Sequence, residues 1–129
     1  MNRILVIEDD LDMTFILNMA LSNKYLVKII NDTQHLLEIL DEFVPDLILT
    51  DYFIGQKKTC EKIKEIKGLE RFNRIPVILF TAHPDIEKLS FEMNATAFLS
   101  KPFDLADLYA CIDKVLFKIF DDKVLLASF

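Results

Sequence analysis

The residues able to do chemistry sit in four short pieces of the chain: Glu8-Asp9-Asp10 after ILVI, Asp51 after LILT, Thr81 after PVILF, and Lys101-Pro102 after FLS. Carboxylates, one hydroxyl and one ammonium are the groups that a Mg²⁺ ion and a transferring phosphoryl group require. Clustered carboxylates repel and cost stability unless a cation neutralises them. Asp10 or Asp12 is expected to cap the helix that follows, but three acids in succession exceed what a cap needs, which favours metal binding. A lone Thr at a strand end is ordinarily an unremarkable hydroxyl, yet Ala82 after Thr81 leaves room for an incoming group. Lys101, placed before Pro102, has restricted backbone geometry, with a cis bond as one option, and its ammonium can act as a compact charge against phosphate.

Each piece follows an apolar run that reads as a strand, so elements of one kind position all four. The strands are Arg3–Ile7, Leu26–Ile30, Leu47–Thr50, Pro76–Phe80 and Ala97–Leu99. Lys28 interrupts the second and marks it as an outer strand, while the fourth has no polar interruption, as a central parallel strand should. Helical periods lie between them. Leu11–Ser22 carries Leu11, Phe15 and Met19 with Ile16 and Ala20, and Asn31-Asp32-Thr33 supplies N-cap chemistry for a helix to about Glu42. Cys60, Ile63 and Ile66 share a face of a helix that Gly68 ends with its tolerance of positive φ. A short helix over Asp85–Met93 ends at Asn94, and the last, from about Asp104, aligns Leu105, Leu108, Ile112, Val115, Leu116 and Ile119. Strand–helix alternation predicts a parallel sheet covered on both faces, with functional groups gathered at the strands' carboxyl ends.

At 129 residues, 52% hydrophobic and 28% charged, the chain fits one domain with a full core. Residues 1–119 are expected to form it, and 120–129 a C-terminal tail extending the last helix. No apolar run approaches the roughly 18 residues of a membrane span, and MNRILVIEDD lacks a signal-peptide layout, so a cytoplasmic location is expected. The net charge of −6 opposes direct nucleic-acid binding. Lys57, Lys58, Lys62, Lys64 and Lys67 alternate with Glu61 and Glu65 and read as a solvated helix face. Cys60 and Cys111 are too few for a disulfide framework and read as buried small side chains.

ILVIEDD, PDLILTDYF, PVILFTAH and AFLSKPF, in this order and spacing, resemble the receiver domain of two-component response regulators over Met1 to about Lys118. The resemblance implies a flavodoxin-like (βα)5 doubly wound parallel sheet, strand order 2-1-3-4-5, with the site at its switch point. It implies that Asp51 accepts a phosphoryl group from the phosphohistidine of a histidine kinase or histidine phosphotransfer protein. Mg²⁺ would be held by Asp9, Asp51, the backbone carbonyl of Phe53, and Glu8 directly or through water. Thr81 and Lys101 would stabilise the phosphoryl group, and Phe98 would be the aromatic that turns inward with Thr81 on activation. Such a protein catalyses only its own phosphorylation and dephosphorylation. It is expected to act as a stand-alone monomer or weak homodimer on an unidentified downstream protein.

The chain departs from the family pattern in places. The loop after Asp51 commonly contains Pro-Gly and ends in Gly, whereas Tyr52–Thr59 has no Pro and a single Gly. The Thr81–Lys101 segment is about two residues shorter than is common, and Asn94-Ala95 stands for the usual Gly-Ala. Phe53 and His83 occupy positions that tune phosphoryl lifetime in the family, while His35 reads as solvated. Phe117, Phe120, Val124, Leu125, Leu126 and Phe129 are expected to pack on the domain or on a second copy. A haloacid-dehalogenase-type phosphatase is disfavoured by Phe53 in the place of its acid, and a nucleotide or flavin binder by EDDLDM in place of a phosphate loop. A receiver-like interaction module that works without phosphorylation is the alternative.

Overall fold

Side chains alternate across the central strands and pack two cores, one on each face of a single sheet. The computed structural model describes residues 1–128, with side chains through Phe117. Its strands are β1 (Arg3–Ile7), β2 (Leu26–Ile30), β3 (Leu47–Thr50), β4 (Phe53–Ile54), β5 (Lys57–Lys58), β6 (Val77–Thr81) and β7 (Ala97–Ser100). Its helices are α1 (Leu11–Leu21), α2 (Leu36–Phe43), α3 (Cys60–Lys67), α4 (Ile86–Met93) and α5 (Leu105–Ser128). Five strands pair in parallel in the order β2-β1-β3-β6-β7. With the small antiparallel pair β4-β5 set aside, this is the flavodoxin-like order 2-1-3-4-5.

Leu5, Ile7, Ile48, Val77 and Leu79 face α2, α3 and α4, meeting Leu40, Ile63, Ile66, Leu89 and Met93. Ile4, Val6, Leu47, Leu49, Ile78 and Phe80 face α1 and α5, meeting Leu17, Leu21, Leu108 and Ile112. The period of two along each strand makes this division, and burial of each such side chain contributes about 1.5–3 kcal/mol. β2 is an edge strand, as Lys28 indicates, and β3 and β6 are buried throughout. Asn94 closes α4 in the left-handed conformation with φ 60°.

Several local expectations are corrected. In α1 the stripe Leu11, Phe15, Ile16 and Met19 is exposed, and Leu17, Ala20 and Leu21 face the sheet. The helix is apolar nearly all round, so its period does not choose a face. Gly68 ends α3 in right-handed helical geometry, φ −80°, and uses none of its tolerance of positive φ. α2 begins after His35, which makes no side-chain capping bond, while Asp32 accepts the N–H of Gln34 in a turn before it. In α5, Leu108, Ile112 and Val115 are buried and Leu105 is exposed. The side chains of Ile119, Phe120, Val124, Leu125, Leu126 and Phe129 lie outside the described residues. Cys60 is buried, while Cys111 is half-buried, its thiol pushed up by burial against a smaller opposing effect of Lys114. Among the described residues, no helix is long and apolar enough to cross a membrane.

Candidate functional site

The parallel register brings the carboxyl ends of β1, β3, β6 and β7 to one edge of the sheet. Glu8 follows β1 and is fully buried. Its Oε1 accepts the N–H groups of Asp9 and Asp10, both at 3.1 Å, and its Oε2 accepts Lys101 Nζ at 2.8 Å. Lys101 Nζ also donates to Asp51 Oδ2 at 2.9 Å. One ammonium thus bridges carboxylates from two strands at an edge where burial would otherwise penalise both. Burial alone would lower the lysine's pKa. The hydrogen bonds and charges of Glu8 and Asp51 outweigh it and hold the ammonium above the usual lysine value.

The acids after β1 divide their work. Asp10 is the N-cap of α1, its Oδ1 accepting the N–H of Met13 at 2.8 Å. Asp9 Oδ2 accepts the N–H of Gly55 at 2.7 Å. Gly55 sits at the tip of the β4-β5 hairpin with φ +63°, a turn conformation that Gly adopts without strain. The hairpin is therefore tied across the site by one of the site's own carboxylates. The sequence predicts a loop here, whereas the structure forms a hairpin whose signal is the single Gly between Phe53-Ile54 and Lys57-Lys58.

Asp51 Oδ1 accepts the N–H of Tyr52 at 2.6 Å. Thr81 ends β6, nearly buried, and its backbone carbonyl accepts the N–H of Lys101 at 2.9 Å. The β6-β7 pairing thereby holds the hydroxyl and the lysine on neighbouring strand ends. The Lys101-Pro102 bond is cis. His83 Nδ1 accepts the N–H of Asp85 at the start of α4, so this imidazole nitrogen is committed to a turn. His35 pairs loosely with Glu38 at the surface. Phe98 is on β7 between Ala97 and Leu99, which pack against the α1-α5 side, and is itself 43% exposed on the opposite face.

Among the described residues, no three His, Cys, Asp or Glu side chains converge as a ready-made metal cluster. Glu8 is engaged by Lys101 and two backbone amides. Asp9 and Asp51 present carboxylate oxygens, hard donors of the kind that suits Mg²⁺, although Asp9 Oδ2 and both Asp51 oxygens already accept hydrogen bonds here.

A family model described as the response regulator receiver domain matches residues 4–113. The chain belongs to this family. Curated proteins share its sequence at moderate identity. The transcriptional regulatory protein CpxR of Escherichia coli K12 is 32% identical over 119 residues, covering 90% of this chain and 50% of CpxR. The sensor histidine kinase TmoS of Ectopseudomonas mendocina is 28% identical over 117 residues, covering 88% of this chain and 12% of TmoS. The receiver thus spans half or less of these curated relatives. Among solved structures, the receiver domain of sensor histidine kinase PA1611 from Pseudomonas aeruginosa PAO1 superposes with a TM-score of 0.80 at 22% identity, covering 89% of this chain and 97% of that one. That structure is described with a magnesium ion coordinated in its active-site cleft.

Proposed function

We infer that this receiver domain accepts a phosphoryl group on Asp51 from the phosphohistidine of a histidine kinase or histidine phosphotransfer protein, in a Mg²⁺-dependent reaction. The observation that carries the reading is the bridge from Lys101 to Glu8 and Asp51, which sets a cation beside the nucleophilic carboxylate. A carboxylate oxygen of Asp51 attacks phosphorus, the phosphorus–nitrogen bond of the donor breaks, and the departing imidazole takes up a proton. Lys101 meets the charge on the transferring oxygens, and the Thr81 hydroxyl turns toward the new acyl phosphate, which carries more charge and more acceptor oxygens than the carboxylate. Asp9, Asp51 and the Phe53 carbonyl are the groups that would hold Mg²⁺, with Glu8 contributing through water or directly. When bound, the ion supplies further neutralisation of the transferring oxygens. The magnesium described in the PA1611 receiver domain supports this assignment by analogy.

Movement of Thr81 leaves space into which Phe98 turns, and its outward position is the starting point of that motion. The surface formed by α4, β7 and α5 then changes shape and recruits a downstream protein. The domain's catalysis is limited to its own phosphorylation and dephosphorylation.

The test is incubation with acetyl phosphate and Mg²⁺ followed by intact-mass measurement. One labile phosphoryl adduct is expected, absent in Asp51→Asn, abolished by chelation and impaired in Lys101→Ala. Equal labelling of Asp51→Asn and the parent would overturn the assignment.

A further inference from the structure

The peptide unit joining Asp51 to Tyr52 is fastened at both ends. Its carbonyl oxygen accepts two hydroxyls, Thr50 Oγ1 at 2.8 Å and Thr59 Oγ1 at 2.7 Å, which fill the two lone pairs of that oxygen. Its N–H donates to Asp51 Oδ1 at 2.6 Å. Rotation of this one peptide plane would move the N–H that fixes the carboxylate. β3 ends at Thr50, so the Asp51 carbonyl lies beyond the strand and the hydroxyls take the place of a ladder partner.

Thr59 is the less expected of the two donors. It is the N-cap residue of α3, where a Thr side chain ordinarily accepts a backbone N–H of the first turn. Here it makes no such bond. It is 1% exposed, and its hydroxyl is turned back toward Asp51, with a longer 3.3 Å approach to the Tyr52 carbonyl. Its own N–H donates to that Tyr52 carbonyl at 2.8 Å, closing the base of the hairpin. The side chain has forgone a stabilising cap to hold the nucleophile's main chain.

We propose that Thr59 is a positioning residue for phosphoryl transfer, its hydroxyl fixing the Asp51–Tyr52 peptide so that the Tyr52 N–H aims the Asp51 carboxylate for in-line attack. The proposal rests on the phosphoacceptor reading of Asp51, but its structural half can be measured without any phosphodonor. Thr59→Val removes the hydroxyl at nearly constant volume, and Thr59→Ser keeps it. The Tyr52 amide proton, deshielded by its short bond to a carboxylate, is expected to move upfield in the NMR spectrum of Thr59→Val and to stay in place in Thr59→Ser. The rate constant for acetyl phosphate labelling is expected to fall about tenfold in Thr59→Val, with Thr59→Ser within about twofold of the parent. Thr59→Ala serves in the same comparison should the Val variant not fold. An unmoved Tyr52 amide, or a Val or Ala variant labelled at the parental rate, would overturn the proposal. A parent that takes no label, with the amide still shifting in Thr59→Val, would instead sink the phosphoacceptor reading and leave the hydroxyl's hold on the peptide intact.

Discussion

Lys101 is one cation shared between two carboxylates, and that ratio governs what its removal does. Its side chain is 16% exposed, against 1% for Glu8 and 15% for Asp51, so solvent offers little substitute for the ammonium. Lys101→Ala leaves two acids facing each other with no positive partner, and it is expected to lower the unfolding free energy by about 2 kcal/mol in divalent-free buffer. Adding Asp51→Asn removes one of the two repelling charges and should recover part of that loss. Urea denaturation of the parent, the single variant and the double variant checks this. A double variant no more stable than Lys101→Ala would mean that repulsion is not what the lysine relieves. The meeting of Glu8, Asp51 and Lys101 is legible in sequence because each follows an apolar run, and parallel strands bring such positions to one edge. The back-turned hydroxyl of Thr59 is not legible, since a Thr before a helical segment reads first as a cap.

At the scale of elements, helix ends show where local preference was overruled. α2 ends at Val44 with φ 50° and ψ 65°, a left-handed conformation in which a β-branched side chain crowds its own backbone. Val44 is 63% exposed, so no packing offsets that crowding. α4 ends in nearly the same conformation at Asn94, a residue that adopts it readily. Val44→Asn is therefore expected to stabilise the fold by about 1 kcal/mol, seen as a raised urea midpoint with unchanged slope. An unaltered or lowered midpoint would show that the strain is absorbed elsewhere. The sheet itself is readable in advance, because strands buried on both faces, such as ILVI, LILT and VILF, leave unbroken apolar runs. Two kinds of element escape that signal. β4 and β5 are two residues each, too short to carry a period, and α1 has apolar residues on both sides. The sheet, not the helix's own pattern, selects Leu17, Ala20 and Leu21 and leaves Leu11, Phe15 and Met19 outside.

Across the whole molecule, the edge of the sheet opposite the site is closed by aromatic hydroxyls joining the end of α1 to α5. Tyr109 donates to the Ala20 carbonyl at 2.6 Å, with Lys24 Nζ 4.3 Å from the centre of its ring. Tyr25, just after α1, donates to Asp113 Oδ1 at 3.0 Å. Burial first, then the hydrogen bond and negative charge of Asp113, push the Tyr25 phenol from the ordinary 10.0 up to about 12. Folding thus favours the neutral phenol, and the stabilisation is fully present below pH 10, the unfolded value. It is lost as pH rises from 10 toward 12, where the unfolded chain ionises and the folded one resists. Two pKa units correspond to roughly 2–3 kcal/mol. The Tyr52 phenol is also raised, by burial first and then by Cys60 and Glu92, so the parent's alkaline loss alone cannot isolate Tyr25. Tyr25→Phe removes the ionisable group and retains the ring. At neutral pH it should cost about 1 kcal/mol for the lost bond, because Asp113 is exposed and readily rehydrated. Above pH 10 its stability should fall less steeply than the parent's, so that the two curves cross at about pH 11, where the parent has lost about 1 kcal/mol, and the variant is the more stable at pH 12. Parallel curves from neutral pH to that point would mean that the Tyr25–Asp113 contact does not couple α1 to α5 in the way its geometry indicates.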